Sequence, residues 1–146
     1  MIEYIVPTLL SALAGGPLGE LAGDERLSFA GPAPAAIERV VDGDTVKARV
    51  AIWIDQEIVV SVRLLGIDAP ELFRPKCAAE KARAKDAKHF VENFLRGQTV
   101  TLTDIERGKY AGRVAARINV SGRDLSDALV SAGFAVEGVR GAWCGP

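Results

Sequence analysis

The sequence has few of the residues that bind soft metals and no excess of the residues that bind nucleic acids. Its 146 residues include one histidine, His89, and two cysteines, Cys77 and Cys144. Structural zinc sites use about four cysteine or histidine ligands, so this composition argues against zinc. Eighteen lysines and arginines are balanced by nineteen acids, for a net charge of −1. Nucleic-acid-binding domains are usually basic, so the net charge alone does not indicate that class.

Signatures of several enzyme classes are absent as well. The chain has no G-x-S-x-G nucleophile elbow, no P-loop and no glycine-rich dinucleotide fingerprint. It also lacks internal repeats and low-complexity tracts, and its length and 49% apolar content fit one domain. Any functional signal must therefore come from charged residues scattered along the chain.

The first part of the chain is apolar and then rich in glycine and proline. Residues 2–14 are too short to span a bilayer, but their Ala-Leu-Ala ending is typical of a secretory cleavage site. Against a signal peptide stand Glu3, Pro7 and the lack of lysine or arginine in this stretch. We expect residues 1–34 to be a leader and linker, and residues 35–146 to form the folded domain. Export to the periplasm or the medium is the first expectation for localisation, and the cytoplasm is the alternative.

Hydrophobic periodicity predicts three strands in the first half of the domain. Residues 36–41 form a short strand that an Asp-Gly turn ends. Apolar residues then alternate with other residues over 46–52, which is the period of a half-buried strand. A run rich in β-branched residues over 58–67 continues the sheet, and Pro70 prevents its extension.

The second half predicts two helices and further strands. Residues 78–95 carry a partial apolar stripe, and Gly97 is a natural terminator. Asp124 is a good N-cap for a second helix, which Gly133 ends. Further strands are expected over residues 99–105, 113–120 and, as a short last strand, 134–136. The order indicates a mostly β, α+β domain whose five main strands close into a small barrel, because closure removes exposed edges.

Charged residues stand at the ends of the predicted strands, at Asp44, Arg63, Asp68, Glu71 and Arg113. Two carboxylates and an arginine brought together by neighbouring strands can hold a divalent cation against a phosphate. The planar fork of arginine also matches two phosphate oxygens. Plainer explanations exist for single residues, since an Asp-Gly-Asp turn needs no metal and a strand arginine can point outward. Taken together, the set favours a phosphodiesterase site.

Other polar residues leave two interpretations open. Glu71 follows Pro70 at a bend, where it could orient an attacking water or act only as an acid at a helix start. A phosphate-binding pair or a solvated loop would both suit Lys109 and Tyr110. The two cysteines form a disulfide if the protein is exported, or remain two free thiols in the cytosol. We expect His89 on a helix surface.

Three motifs, in order along the chain, resemble the thermonuclease (staphylococcal nuclease-like) family. They are VDGDT at residues 41–45, VRLLGIDAPE at 62–71 and KYAGR at 109–113, and the likeness runs from residue 36 to residue 135. The resemblance implies a five-stranded OB-fold barrel with two or three packed helices. It further implies calcium-dependent hydrolysis of DNA and RNA with little sequence preference, leaving 3′-phosphate and 5′-hydroxyl ends. The implied partner is a DNA or RNA substrate, or both, and we expect a monomer with no membrane span.

The resemblance also assigns roles by position. The calcium ligands would be Asp44, Asp68 and the backbone carbonyl of Ala69, with Asp42 holding a metal-bound water. The phosphate would be clamped by Arg63 and Arg113, which stabilise charge in the transition state. Glu71 would act on the attacking water, and Lys109 and Tyr110 would contact the terminal phosphate. The cysteines match a pair found in exported members, which supports a Cys77–Cys144 disulfide.

The sequence departs from the family pattern at three places. Ala69 replaces a threonine, Ala111 adds a residue before Arg113, and the tyrosines that stack on bases are missing after Ala135. Base stacking contributes about 1–3 kcal/mol per base, so we expect weakened substrate binding. Two other functions therefore remain open: a non-catalytic OB-fold module that binds nucleic acid or protein, and an exported domain with a structural calcium site.

Overall fold

A computed structural model describes residues 28–138 and 140–145, so most of the predicted leader lies outside the described residues. Two helices and nine strands occur within them. Their bounds are β1 Ser28–Phe29, β2 Ala33–Asp42, β3 Thr45–Trp53, β4 Gln56–Leu64, β5 Ile67–Asp68, α1 Ala78–Leu95, β6 Thr99–Arg107, β7 Arg113–Val120, β8 Arg123–Asp124, α2 Leu125–Ser131 and β9 Val136–Glu137.

Five of the strands close into a barrel. Strand β2 pairs with β3, β3 with β4, β4 with β7, β7 with β6, and β6 returns to β2. All of these pairs are antiparallel except β4–β7, which is parallel. The prediction of a mostly β, five-stranded OB-fold barrel is therefore confirmed.

The barrel interior is filled by the apolar residues that alternate along each strand. Val46, Val62, Leu102 and Ile118 come from four different strands and are almost fully buried. Side chains of both helices join the same core, including Val91 of α1. Burial of this kind contributes about 25 cal/mol per Å² of apolar surface, so the core is the main source of stability. The charged residues of the alternate face are left on the outside of the barrel.

Both helices begin and end close to the predicted residues, and each begins at a capping residue. The sulfur of Cys77 accepts a hydrogen bond from the amide of Glu80 at the start of α1. Beyond α1, Gly97 has a φ of +67°, a left-handed conformation that glycine adopts without strain. The carboxylate of Asp124 accepts from the amide of Asp127 at 3.0 Å and caps α2. No helix in the described part of the chain has the length and apolarity needed to cross a membrane.

Several strand boundaries differ from the predicted pattern, and the last strand is Val136–Glu137 instead of 134–136. The run over residues 58–67 is not one strand, because the chain turns at Gly66, whose φ is +75°, and divides into β4 and β5. Strand β5 leaves the barrel and pairs instead with β9. Strand pairing also starts before residue 35, since β1 and the first residues of β2 pair with β6. The second helix and β9 thus bring the C-terminal part of the chain beside β5.

Candidate functional site

The centre of the site is a guanidinium shared by two carboxylates. The β3–β4 register sets Thr45 opposite Arg63, and the amide of Leu64 donates to the carbonyl of Asp44 at 2.8 Å. This pairing brings Asp44, which lies in the β2–β3 turn, beside the outward-facing side chain of Arg63. Arg63 Nη1 is 2.9 Å from Asp44 Oδ2, and Nη2 is 3.5 Å from Asp68 Oδ1. One planar fork therefore joins carboxylates from two separate segments.

The environment of Asp44 disfavours its charge. The residue is 5% exposed, and burial together with the nearby charge of Asp42 raises the pKa of its carboxyl to about 7. Arg63 and a hydrogen bond from the hydroxyl of Thr45 at 2.9 Å oppose this rise without cancelling it. A carboxylate buried with incomplete charge compensation would be stabilised by a second positive charge.

The turn that carries Asp44 is seated directly on α1. A Cβ atom at Gly43 would lie 2.7 Å from the Cβ of Ala87 and 3.1 Å from the Cβ of Ala69. Only glycine allows this approach, which packs the turn between the helix and the segment after β5. Within the turn, the amide of Asp44 donates to Asp42 Oδ1 at 3.2 Å. The Asp-Gly-Asp sequence thus fixes the depth of Asp44 in the site.

Asp68 is held by a segment that the sequence analysis did not connect with it. Its Oδ2 accepts hydrogen bonds from the amide of Gly141 at 2.9 Å and from the indole Nε1 of Trp143 at 3.2 Å. This C-terminal segment is fastened by a disulfide between Cys144 and Cys77, which lies at the start of α1. No local sequence signal predicts the contact, because the residues meet only through the tertiary fold.

The loop that carries Glu71 is organised by Glu80, another residue that the sequence analysis missed. Glu80 is 4% exposed, and its carboxylate accepts from the amides of Glu71 at 3.2 Å and Lys76 at 2.6 Å. The signal that could have identified it is its place three residues after the N-cap, where a glutamate commonly reaches back to free amides. The carboxylate of Glu71 itself accepts from the amide of Phe73 at 3.0 Å.

These residues surround one polar cavity of about 550 Å³. Six of the predicted site residues line it: Asp42, Asp44, Arg63, Asp68, Ala69 and Glu71. The lining also includes cations and a C-terminal aromatic residue that were not predicted there: Arg74, Lys76, Arg140 and Trp143. Acidic and basic side chains therefore line the same pocket. Such a lining suits a negatively charged ligand that binds together with a metal cation.

Arg113, Lys109 and Tyr110 are not among the residues that line this cavity. The guanidinium carbon of Arg113 lies 5.8 Å from the centre of the Tyr110 ring, and Lys109 Nζ lies 5.5 Å from it. The β4–β7 register pairs Ser61 with Arg113 and Arg63 with Ala115. Since alternate residues share a face, Arg113 lies on the same outer face of the barrel as Arg63, two residues away along the strands. The expected convergence of both arginines on one pocket is thus met by Arg63 alone.

The donor set at Asp44 and Asp68 fits a hard cation that is bound by few protein ligands. Within residues 28–138 and 140–145, no group of three or more His, Cys, Asp or Glu side chains is arranged to hold a metal. Asp44 and Asp68 nevertheless offer two carboxylates around one guanidinium, and Ala69 lines the same cavity. Hard cations such as Ca²⁺ prefer oxygen donors and complete their coordination with water, so two carboxylates suit a weak site.

Comparison of the sequence with known proteins found a matching family and similar proteins. The family described as staphylococcal nuclease homologue matches residues 61–141, which is more than half of the chain. A protein named uncharacterized endonuclease from Escherichia coli is 29% identical over 100 residues, covering 68% of this chain and 57% of that protein. A protein with the same name from Escherichia coli O157:H7 has the same identity and coverage. The chain therefore spans 57% of the length of these relatives. Asp42 and Asp44 precede the range matched by the family.

Proposed function

The chain belongs to the staphylococcal nuclease family, and from this we propose that it is a metal-dependent nuclease that hydrolyses DNA and RNA with little sequence preference. The observation that carries the proposal is the sharing of Arg63 between Asp44 and Asp68 in a polar cavity. A structural ion pair would need only one acid for one arginine. Two acids around one arginine leave an excess of negative charge, which a divalent cation neutralises.

The proposed cation is calcium, held by Asp44, Asp68 and the carbonyl of Ala69, with Asp42 holding a water at the same place. Bound there, calcium would neutralise phosphate charge and make a bound water more acidic. The buried, poorly compensated carboxyl of Asp44 supports this assignment, because a cation would favour its charged form.

The chain's own groups bind and orient the phosphodiester. Arg63 is partly exposed, so its fork can contact phosphate oxygens from the cavity side and stabilise the charge that grows on them. Glu71 lies on the same cavity, where its carboxylate orients the water that attacks phosphorus. Cleavage of the 5′ P–O bond would leave a 3′-phosphate and a 5′-hydroxyl.

A second surface beside the cavity is formed by Arg113, Lys109 and Tyr110. Arg113 lies on the same barrel face as Arg63, and its guanidinium packs near the exposed Tyr110 ring. We assign Arg113 to the phosphate as it enters the cavity, and Lys109 and Tyr110 to the terminal phosphate of the nucleotide. Arginine and an aromatic ring together suit a phosphate followed by a sugar or base.

The test is a cleavage assay on single-stranded DNA with Ca²⁺ and then with a chelator. We expect cleavage that needs the cation and yields 3′-phosphate ends, and that falls at least 100-fold in Arg63→Ala. Arg49→Ala is the matched control, because Arg49 lies on the outer face of β3 and pairs with Glu38 away from the cavity. Cleavage that persists in chelator or in Arg63→Ala would contradict the proposed mechanism.

A second candidate is a non-catalytic OB-fold module that binds nucleic acid. The position of Arg113 outside the cavity favours it, since only one of the two arginines assigned to the phosphate then lines the cavity with the acids. Binding of single-stranded DNA that is insensitive to chelator and is never followed by cleavage would identify this function.

A further inference from the structure

The C-terminal segment completes the site around Asp68. The two oxygens of this carboxylate have different partners: Oδ1 faces Arg63 at 3.5 Å, and Oδ2 accepts from Gly141 and Trp143. Hydrogen bonds to a charged carboxylate are directional, and two donors on one oxygen fix the plane of the group. The orientation of Oδ1 is therefore set by residues that donate hydrogen bonds to Oδ2.

The backbone around Asp68 does not by itself fix that orientation. Strand β5 has two residues, and it pairs only with β9, through Ile67–Glu137 and Asp68–Val136. This pairing holds the main chain of Asp68 but leaves its side-chain torsions free. The indole and the amide of the C-terminal segment supply the missing constraint.

Trp143 is itself held in place from two sides. Its ring packs against Gly141, where any added Cβ would overlap the indole. The next residue, Cys144, is bonded to Cys77, and Cys77 caps α1. Helix α1 is anchored in turn by buried side chains such as Val91. The indole N–H is thus held in a fixed position beside Asp68.

The polar N–H of Trp143 is directed at the cavity. The residue is not among the buried core side chains, and it lines the polar cavity with its N–H bonded to the carboxylate there. A tryptophan N–H near a site usually bonds a specific acceptor, and this acceptor is an acid assigned to the cation.

We propose that Trp143 is a positioning residue for Asp68: its indole N–H, helped by the Gly141 amide, orients the carboxylate for cation binding, and the Cys77–Cys144 disulfide keeps it there. This inference rests on the proposed function, since it concerns the same cavity. Partners that orient a metal ligand typically change metal affinity by 10–100-fold when they are removed.

The experiment compares Trp143→Phe with Trp53→Phe. Both changes remove an indole N–H and keep an aromatic ring, but Trp53 is 73% exposed and does not line the cavity. Titration calorimetry with Ca²⁺ alone measures affinity without relying on cleavage. We expect Ca²⁺ affinity to fall about 10-fold or more in Trp143→Phe and to be unchanged in Trp53→Phe. Thermal unfolding in chelator checks that both variants are folded.

A fluorescence titration gives a second readout. The chain has two tryptophans, so Trp53→Phe leaves Trp143 as the only one. We expect Ca²⁺ to change the emission of Trp143 with the midpoint that calorimetry gives, and Asp68→Asn to remove this change. In Cys77→Ser/Cys144→Ser, Ca²⁺ affinity should also fall, because the indole loses its tether.

The outcomes separate this inference from the proposed function. If Asp68→Asn weakens Ca²⁺ binding but Trp143→Phe binds as tightly as Trp53→Phe, the role of Trp143 is wrong and the cation site stands. If Asp68→Asn binds Ca²⁺ as the unaltered protein does, the assignment of Asp68 to the cation fails and the role of Trp143 fails with it.

Discussion

Gly43 lies so close to Ala87 that a methyl group on it would be 2.7 Å from the methyl carbon of Ala87. The contact joins the turn that carries Asp44 to the middle of α1. Depth and orientation of the buried acid therefore depend on a helix residue that has no chemistry of its own.

Gly43→Ala should destabilise the fold by about 1–3 kcal/mol, because the added methyl overpacks the turn against α1. It should also weaken Ca²⁺ binding, since Asp44 moves with the turn. Ala87→Gly makes room, at a helix cost of about 1 kcal/mol. In urea unfolding, we expect the double variant to lose less unfolding free energy than the two single variants lose in sum. Additive effects would mean that the turn relaxes without help from the helix.

Asp44→Asn should stabilise the protein in a way that depends on pH. The folded pKa of Asp44, about 7, lies above its ordinary value of 3.8, so the folded state binds this proton more tightly than the unfolded state. The stability that this group contributes is complete below pH 3.8 and is lost as pH rises to about 7. Asparagine does not titrate, so its advantage should grow over that range to on the order of 2–4 kcal/mol.

Chemical denaturation without divalent cations, at intervals from pH 4 to pH 8, measures this advantage. Asp86→Asn is the matched control, since Asp86 is an exposed residue of α1, and its effect should stay within about 0.5 kcal/mol. A difference between Asp44→Asn and the unaltered protein that does not vary with pH would show that Asp44 is charged in both states.

Arg63→Lys should be nearly as harmful as Arg63→Ala. The fork of Arg63 reaches Asp44 and Asp68 with separate nitrogens, and a single ammonium group does not reproduce that geometry. We expect kcat/KM on single-stranded DNA to fall about 100- to 1,000-fold. Arg49→Lys should leave kcat/KM unchanged. Unchanged turnover by Arg63→Lys would mean that only a positive charge is needed at this position.

Arg113→Ala should separate substrate contact from cation binding. Because Arg113 packs near Tyr110 and does not line the cavity, Ca²⁺ affinity measured by calorimetry should stay the same. Its place beside Arg63 on the barrel face should nevertheless make kcat/KM fall about 10-fold or more, through loss of a phosphate contact. Unchanged kcat/KM would mean that, of Arg63 and Arg113, only Arg63 contacts the substrate phosphate.

Loss of the disulfide should lower stability by about 4 kcal/mol, because the bond closes a long loop in the unfolded chain. The cysteines are 67 residues apart in the sequence. Unfolding of the oxidised protein, with and without reductant, measures the difference, and Cys77→Ser/Cys144→Ser should match the reduced protein. Equal stability in all three would mean that the link does not constrain the unfolded state.

Local signals in the sequence were enough to predict most of the strands and helices. The predicted bounds of α1 and β7 agree with the structure because Gly97 and the glycine before Arg113 mark sharp ends. The division between β4 and β5 was missed, since the apolar pattern continues through Gly66 and only its positive φ reveals the turn.

The candidate site was predictable only where it depends on neighbouring strands. Asp44 and Arg63 meet because β3 and β4 form a hairpin, whose register follows from the alternating pattern. The hydrogen bonds from Gly141 and Trp143 to Asp68 join residues that are 73 and 75 positions apart, and no periodicity encodes such a contact. The stacking of Arg113 near Tyr110 is likewise a choice of side-chain conformation, which the strand pattern does not determine.

The parallel pairing of β4 with β7 has a consequence for synthesis of the protein. These strands are separated in the chain by β5, α1 and β6, so the barrel cannot close until all of them have been made. Contacts between such distant segments form slowly during folding, because a large loop must be ordered first. A nascent chain that has not yet completed β7 would therefore hold Arg63 on an open sheet, without the strand that carries Arg113 beside it.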